Sequence, residues 1–154
     1  MKNTPSYGED KEMILPNPIP CEGLSMVKIL LVEDNASLRQ SLKEILHLQF
    51  PSIVIEEAAE GNEALRKVGT FLPDLIFMDI KLPGKSGLYL TKKIKKDHPE
   101  IIIVILTCYD SPEYRDVAFK CGANRFIAKG ALIWQEIEAL IRSISSDVDK
   151  RTSN

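Results

Sequence analysis

The chain has 154 residues and a formal net charge of −2, with 20 Lys and Arg against 22 Asp and Glu, and 44% of its residues are hydrophobic. The basic excess typical of nucleic-acid-binding domains is missing, so we expect no direct contact with nucleic acid, and the length favours one globular domain. No apolar run approaches the roughly 20 residues of a membrane-spanning helix, and the N-terminal region lacks a secretory signal pattern, which predicts a cytoplasmic location and no membrane contact.

Residues 1–25 hold four of the nine prolines and show no sustained periodicity, so we predict that they form a flexible N-terminal extension. From residue 26 onward, short β-rich runs alternate with helical patterns, which is typical of βα units around a parallel sheet. Five strands are predicted, at 28–32, 52–56, 74–78, 101–106 and 125–128. This organisation predicts a single domain over 26–146 and a disordered tail over 147–154.

The segments after the strands have the apolar spacing of amphipathic helices. The predicted core positions are Leu38, Leu42, Ile45 and Leu46 in the first helix and Ile133, Ile137, Leu140, Ile141 and Ile144 in the last. The second helix is predicted to open at Gly61 and the third from about Ser86. Ser111 followed by Pro112 is typical of the N-cap and first position of a fourth helix.

Polar side chains follow four of the five predicted strands, at the edge of a parallel sheet where reactive groups gather. They are Glu33 and Asp34 after the first strand, Asp79 after the third, Thr107 at the fourth and Lys129 after the fifth. Three carboxylates held close together repel one another unless a cation is present. Because Mg²⁺ prefers oxygen ligands and is commonly bound by one or two carboxylates and a phosphate, the pattern predicts a magnesium site.

An aspartate in such a site can act as a nucleophile toward a phosphoryl group and form an aspartyl phosphate. Asp79 is the candidate acceptor because it lies centrally, at the end of the third of the five predicted strands. In this hypothesis Glu33 and Asp34 hold Mg²⁺. Lys129 places a positive charge on one phosphoryl oxygen, and the hydroxyl of Thr107 donates a hydrogen bond to another.

These residues lie in stretches that resemble the receiver domain of two-component response regulators. The stretches are ILLVEDN at 29–35, AEGNEAL at 59–65, DLIFMDIKLPG at 74–84, ILT at 105–107 and GANRFIAK at 122–129. The resemblance implies a flavodoxin-like α/β fold, with a five-stranded parallel sheet of order 2-1-3-4-5 and helices on both faces. It also implies that Asp79 takes phosphate from a histidine kinase or a phosphotransfer protein, and that the backbone carbonyl of Lys81 is a further metal ligand.

The resemblance implies a conformational switch in which Thr107 moves toward the phosphoryl group and the aromatic side chain of Phe126 turns inward. The signal would then pass through the fourth helix, fifth strand and fifth helix to a downstream protein or a second copy of the chain. Such a domain is not a conventional enzyme, because it catalyses only its own phosphotransfer and autodephosphorylation. The residue after Lys129 is Gly130, where many receivers have proline, so the sequence leaves the cis or trans state of this bond open.

Two alternatives remain from the sequence. The chain could be the receiver half of a DNA-binding transcriptional regulator whose output domain is absent from this sequence. It could also be a receiver that binds protein partners without being phosphorylated. Two further side chains, Lys81 and Tyr109, are predicted to lie beside the phosphoryl site and to affect attack by water on the aspartyl phosphate.

Overall fold

A computed structural model of the chain describes residues 26–131 and 134–152, and its strands and helices alternate along the sequence. The strands are β1 (Lys28–Val32), β2 (Val54–Ala58), β3 (Leu75–Met78), β4 (Ile102–Thr107) and β5 (Arg125–Ala128). The helices are α1 (Ala36–Gln49), α2 (Gly61–Phe71), α3 (Gly87–Asp97), α4 (Pro112–Lys120) and α5 (Trp134–Thr152), and a 3-10 turn spans Lys129–Ala131.

The five strands form one parallel sheet in the order β2-β1-β3-β4-β5, so the predicted fold class is confirmed. Alternate residues of each central strand face opposite sides of the sheet because side chains in a strand alternate. In β1, Ile29 and Leu31 pack with α1 and α5, whereas Leu30 and Val32 pack with α2, α3 and α4. Both faces of the sheet are therefore covered, as the apolar strands require.

The predicted strand at 52–56 is displaced by two residues, because β2 runs over Val54–Ala58 and includes Glu56 and Glu57. Two consecutive acidic residues favour a loop when the sequence is considered alone. The strand lies at the edge of the sheet, however, and Glu57 is neutralised there by ion pairs with Arg39 at 2.9 Å and Lys43 at 2.8 Å. A charged edge strand of this kind is stable and resists pairing with other chains.

The predicted disordered tail at 147–154 is wrong for its first six residues, because α5 continues to Thr152. Val148 extends the apolar stripe of Ile137, Ile141 and Ile144 by one more turn and packs against the same core. This additional contact explains why the helix does not end near residue 146. The predicted extension at 1–25 and the predicted core residue Ile133 lie outside the described residues.

The helix starts at the carboxyl edge of the sheet are fixed by side-chain caps. Asn35, Ser86 and Ser111 accept hydrogen bonds from backbone amides in the first turns of α1, α3 and α4, which satisfies donors that have no partner inside the helix. The predicted N-cap at Ser111 with Pro112 at the first helical position is confirmed. Across the described residues, no helix combines the length and apolar character needed to cross a bilayer.

Candidate functional site

The carboxyl edge of the sheet brings three carboxylates together at the ends of β1 and β3. One oxygen from each of Glu33, Asp34 and Asp79 lies within 4.8 Å of the other two. Glu33 and Asp79 are buried, whereas Asp34 is exposed to solvent. The two strands are direct neighbours in the sheet, so the convergence follows from the topology and does not depend on a long loop.

Lys129 joins the two buried carboxylates. Its Nζ lies 2.7 Å from Oε1 of Glu33 and 3.1 Å from Oδ2 of Asp79, and the lysine side chain is 17% exposed. Burial alone would lower the pKa of Lys129, but hydrogen bonds and charge attraction from Glu33 and Asp79 outweigh it and raise the pKa above its usual value. Lys129 therefore stays protonated and acts as the counterion of this site.

Asp79 is held at both carboxylate oxygens. The backbone amide of Ile80 donates to Oδ1 at 2.7 Å, and Lys129 donates to Oδ2 at 3.1 Å. The backbone amide of Asp79 donates to the carbonyl of Val32 at 3.1 Å, which continues the pairing of β3 with β1. The side chain is thus fixed in orientation at the end of the central strand.

Both oxygens of the Glu33 carboxylate are also engaged. Oε1 accepts from Lys129, and Oε2 accepts from the backbone amide of Asn35 at 3.1 Å. Burial raises the pKa of Glu33, and the nearby charge of Asp79 adds to this effect, while Lys129 and the Asn35 amide oppose it. In this arrangement Glu33 anchors Lys129. Of the two neighbouring carboxylates Glu33 and Asp34, only Asp34 is open to solvent.

The predicted switch residues lie in β4 and β5, the two strands that follow β3 in the sheet. Thr107 ends β4, is fully buried, and its Oγ1 accepts a hydrogen bond from the amide of Tyr109 at 3.3 Å. Phe126 in β5 is buried with its ring turned into the core. The guanidinium of Arg115 in α4 lies 4.8 Å from the centroid of this ring, and its Nε also donates to Asp110 at 2.8 Å.

An open cavity of about 420 Å³ lies over the carboxylates. Its lining residues are Glu33, Asp34, Asn35, Asp79, Lys81, Cys108, Tyr109 and Lys129. The Nζ of Lys81 lies 5.8 Å from the centroid of the Tyr109 ring, so these two side chains meet at one side of the opening. A larger cavity, about 510 Å³, lies at the opposite edge of the sheet between Leu72, Glu100 and Asp147. The functional site is therefore identified by its carboxylates and lysine, and not by the volume of its cavity.

The Lys129–Gly130 peptide bond is trans, because no peptide bond is cis in the part of the chain that the structure describes. This answers the question that the sequence left open at Gly130.

Two residues of the site were not predicted. Asn35 caps α1 through its side chain and bonds Glu33 through its amide, and an asparagine directly before a helical pattern is a recognisable N-cap signal. Arg39 donates from Nη1 to the backbone carbonyl of Glu33 at 2.6 Å. No local pattern in the sequence indicates this contact, because it depends on how α1 packs beside β1.

The donor set fits a hard divalent cation. All three converging side chains offer carboxylate oxygens, which Mg²⁺ prefers, and the described part of the chain places no cysteine or histidine in this group. One exposed carboxylate and two buried carboxylates beside an open cavity leave room for waters and a phosphate. The site can therefore hold a metal ion and an anionic group together.

Comparison with known proteins identifies the family. The family model described as the response regulator receiver domain matches residues 29–142. The oxygen regulatory protein NreC of Staphylococcus haemolyticus is 41% identical over 106 residues, which cover 68% of this chain and 49% of that protein. NreC of Staphylococcus carnosus is 39% identical over 115 residues, which cover 74% of this chain and 53% of that protein. The chain thus spans about half the length of these curated relatives.

Solved structures show the same fold. A CheY-like receiver domain protein from Methanospirillum hungatei superposes with a TM-score of 0.72 at 28% identity, covering 82% of this chain and 99% of that one. The response regulator TrrA from Thermotoga maritima, solved in complex with Mg²⁺-BeF, superposes with a TM-score of 0.66 at 32% identity, covering 77% of this chain and 99% of that one.

Proposed function

The chain belongs to the family of two-component response regulator receiver domains, and on that basis we propose that it accepts a phosphoryl group on Asp79 with the help of Mg²⁺. The donor is the phosphohistidine of a histidine kinase or a phosphotransfer protein, and the protein acts in the cytoplasm. The observation that carries the proposal is the group of three carboxylates with oxygens within 4.8 Å of one another, two of which, Glu33 and Asp79, pair with Lys129. An anionic site with one fixed cation suits a phosphoryl group bound together with a metal ion.

In the transfer step, a carboxylate oxygen of Asp79 attacks the phosphorus atom. A P–O bond forms, the P–N bond to the donor histidine breaks, and the leaving imidazole takes up a proton. The proposed metal ligands are Glu33, Asp34, Asp79 and the backbone carbonyl of Lys81. Bound Mg²⁺ supplies positive charge to the phosphoryl oxygens.

Lys129 and Thr107 stabilise the group after transfer. The Nζ of Lys129 already lies beside Asp79, so it needs only a small movement to bond a phosphoryl oxygen. The hydroxyl of Thr107 is buried at the neighbouring strand end and would rotate or shift toward the new group, leaving the amide of Tyr109. This is the proposed coupling between phosphorylation and the packing around Phe126.

The domain is not a conventional enzyme in this proposal, since its only substrate turnover is its own phosphorylation and dephosphorylation. The signal passes through α4, β5 and α5, where Phe126 contacts Arg115. The partner on this surface is a downstream protein or a second copy of the chain. The near balance of charge argues against direct contact of the domain with nucleic acid.

Incubation with acetyl phosphate and Mg²⁺, followed by intact-mass measurement, tests the proposal. The wild-type protein should gain the mass of one phosphoryl group, and Asp79→Ala should gain none because the nucleophile is absent. Asp97→Ala, which removes an exposed carboxylate at the end of α3, is the matched control and should be phosphorylated normally. A wild-type protein without an adduct, or an adduct retained in Asp79→Ala, would refute Asp79 as the acceptor.

Lys81→Ala should shorten the half-life of the aspartyl phosphate by about threefold, which corresponds to about 0.6 kcal/mol in the barrier to hydrolysis. Lys81 and Tyr109 line the cavity and contact each other at 5.8 Å, so removing the lysine opens the approach of water to the acyl phosphate. The loss of phosphoprotein over time, measured by intact mass after removal of acetyl phosphate, gives the half-life.

Lys85→Ala is the matched control for this prediction. Lys85 lies 6.0 Å from the ring centroid of Tyr89, so it forms the same kind of lysine–tyrosine contact, but neither residue lines the cavity. An equal half-life for the wild type and Lys81→Ala would exclude a shielding role for Lys81.

A second proposal concerns the whole protein. The chain matches about half the length of the two NreC proteins, which supports the alternative that it is the receiver half of a longer regulator with a DNA-binding output domain. The size of the native protein in a cell extract, detected with an antibody against this domain, tests this alternative. A native protein of about the size of this chain would refute it. The phosphorylation-independent alternative is tested by the acetyl phosphate experiment.

A further inference from the structure

We propose that Arg39 is a positioning residue for the metal site, because it holds the backbone carbonyl of Glu33 and thereby fixes the orientation of Asp34. The inference rests on the proposed function, since it concerns how the same site binds Mg²⁺. It assigns a role to a residue of α1 that lies outside the carboxylate cluster and outside the lining of the cavity.

Arg39 connects three elements of the fold. Its Nη1 donates to the carbonyl oxygen of Glu33 at 2.6 Å, and its Nε donates to Oε1 of Glu57 in β2 at 2.9 Å. The side chain is only 18% exposed, so both contacts are shielded from solvent. The other oxygen of Glu57 pairs with Lys43 at 2.8 Å. One guanidinium group thus links α1, the end of β1 and the edge strand.

The contact with Glu33 bears directly on Asp34. The carbonyl of Glu33 and the amide of Asp34 belong to one planar peptide unit. A hydrogen bond that holds this carbonyl oxygen therefore also fixes the orientation of the Asp34 amide. The amide of Glu33 is held by the carbonyl of Ala58 at 3.0 Å, and its carboxylate is held by Asn35 and Lys129. With the Arg39 contact, the amide, the carboxylate and the carbonyl of Glu33 each have a hydrogen-bond partner.

Backbone placement matters here because of the geometry that Mg²⁺ requires. The ion binds in a nearly ideal octahedron at about 2.0–2.1 Å, so a small displacement of a ligand weakens binding. Loss of a group that orients a metal ligand typically weakens metal affinity by about 10- to 100-fold. Asp34 is the exposed carboxylate of the cluster, so it has few packing contacts of its own to hold it.

A purely electrostatic role for Arg39 predicts the opposite result. Removing a positive charge near three carboxylates would strengthen the attraction for a cation. Arg39→Lys separates the two effects, because lysine keeps the charge but has a single ammonium group that cannot span Glu33 and Glu57. The hydrogen bond from Lys43, followed by that from Arg39, lowers the pKa of Glu57 despite its burial, so Glu57 stays ionised and balances either cation.

The test is a Mg²⁺ titration of the metal-free protein by isothermal calorimetry, supported by backbone amide NMR shifts. Arg39→Lys should bind Mg²⁺ about tenfold more weakly than the wild type. Lys43→Gln is the matched control, since it removes the other partner of Glu57 and touches nothing in the site; its affinity should stay within about twofold of the wild type. The amide shifts of Arg39→Lys should change at residues 33–35, at 57 and next to position 39 itself, and stay constant elsewhere, which establishes that the variant is folded.

Each outcome decides between the proposals. If the wild type binds Mg²⁺ and Arg39→Lys binds it equally or more tightly, the positioning role is wrong and the proposed function stands. If Arg39→Lys and Lys43→Gln weaken binding equally, the effect comes from the loss of a partner of Glu57, which the two variants share, and the role of Arg39 at the Glu33 carbonyl is again wrong. If the wild type binds no Mg²⁺, both the inference and the magnesium part of the proposed function fail. Should Arg39→Lys fail to fold, Arg39→Met replaces it, because methionine cannot donate to the Glu33 carbonyl: positioning predicts weaker binding, loss of charge alone predicts tighter binding, and an unchanged or tighter affinity overturns the inference.

Discussion

Replacing Lys129 by methionine should lower the free energy of unfolding of the metal-free protein by about 3 kcal/mol at neutral pH. The lysine is the cation that joins Glu33 and Asp79, whose side chains are 6% and 7% exposed. Without it, two buried carboxylates face each other with no counterion, and breaking a buried ion pair in this way is strongly destabilising. Denaturant unfolding in the presence of a chelator measures the loss.

The pH dependence of this loss has a definite sign. Burial raises the pKa of Glu33, and removing Lys129 takes away a group that lowers it, so the pKa rises further in the variant. A carboxyl group with a raised pKa in the folded state binds protons more readily than in the unfolded state, so stability falls as the pH rises through the interval between its unfolded and folded values. The destabilisation of Lys129→Met should therefore be smallest at acidic pH and reach its full size above the raised pKa.

Magnesium should restore part of the lost stability, because a bound divalent cation neutralises the same carboxylates. The shift in melting temperature on adding Mg²⁺ should be larger for Lys129→Met than for the wild type. Lys120→Met is the matched control, since Lys120 forms an exposed ion pair with Asp116 at 2.9 Å within α4, and its effect should stay within about 0.5 kcal/mol. Equal effects of the two substitutions would show that Lys129 has no special role in the stability of the site.

Gly87→Ala should lower the free energy of unfolding by about 3 kcal/mol and slow phosphorylation of Asp79 by acetyl phosphate. A Cβ atom at this position would lie 1.9 Å from the carbonyl oxygen of Asp79 and 2.8 Å from its carbonyl carbon. Because these are backbone atoms, the overlap is relieved only by moving the start of α3 or the end of β3. Either movement displaces the backbone of the acceptor aspartate and its hydrogen bond from Ile80.

Gly69→Ala provides the comparison for this prediction. Gly69 lies within α2 on its solvent-exposed side, and among the described residues no neighbouring atom lies within 4 Å of the position of an added Cβ. Alanine should therefore stabilise the helix by about 0.5–1 kcal/mol without changing phosphorylation. Denaturant unfolding and the time course of the intact-mass adduct distinguish the two variants. An unchanged phosphorylation rate in Gly87→Ala would mean that the close approach to Asp79 has no effect on the site.

The alternation of strands and helices and the position of the carboxylates could be predicted from the sequence because they depend on local signals, whereas the order of the strands was implied by the resemblance to receiver domains. Apolar runs of four to six residues identified the strands, and the end of each run marked the edge at which Glu33, Asp34 and Asp79 converge. Parallel βα topology then leaves a single edge for all of these groups. The comparisons with known proteins confirm the receiver family, which the sequence stretches around these strand ends had indicated.

Contacts between elements that are distant in the sequence could not be predicted in this way. The bond from Arg39 to the Glu33 carbonyl depends on the packing angle of α1, and the close approach of Gly87 to Asp79 depends on how α3 meets β3. The extra turns of α5 were missed for a simpler reason. Val148 alone continues the apolar stripe among polar neighbours, and one residue is too weak a periodic signal to extend a helix.

The contact between Arg115 and Phe126 provides a natural probe of the proposed switch. The circulating electrons of an aromatic ring shift the resonances of protons above its face to higher field, and the Arg115 guanidinium carbon lies 4.8 Å from the ring centroid. The side-chain protons of Arg115 should therefore resonate at unusually high field whenever Phe126 faces the core. A change in this resonance on phosphorylation would report a change in how Arg115 packs on the ring, without any label or substitution.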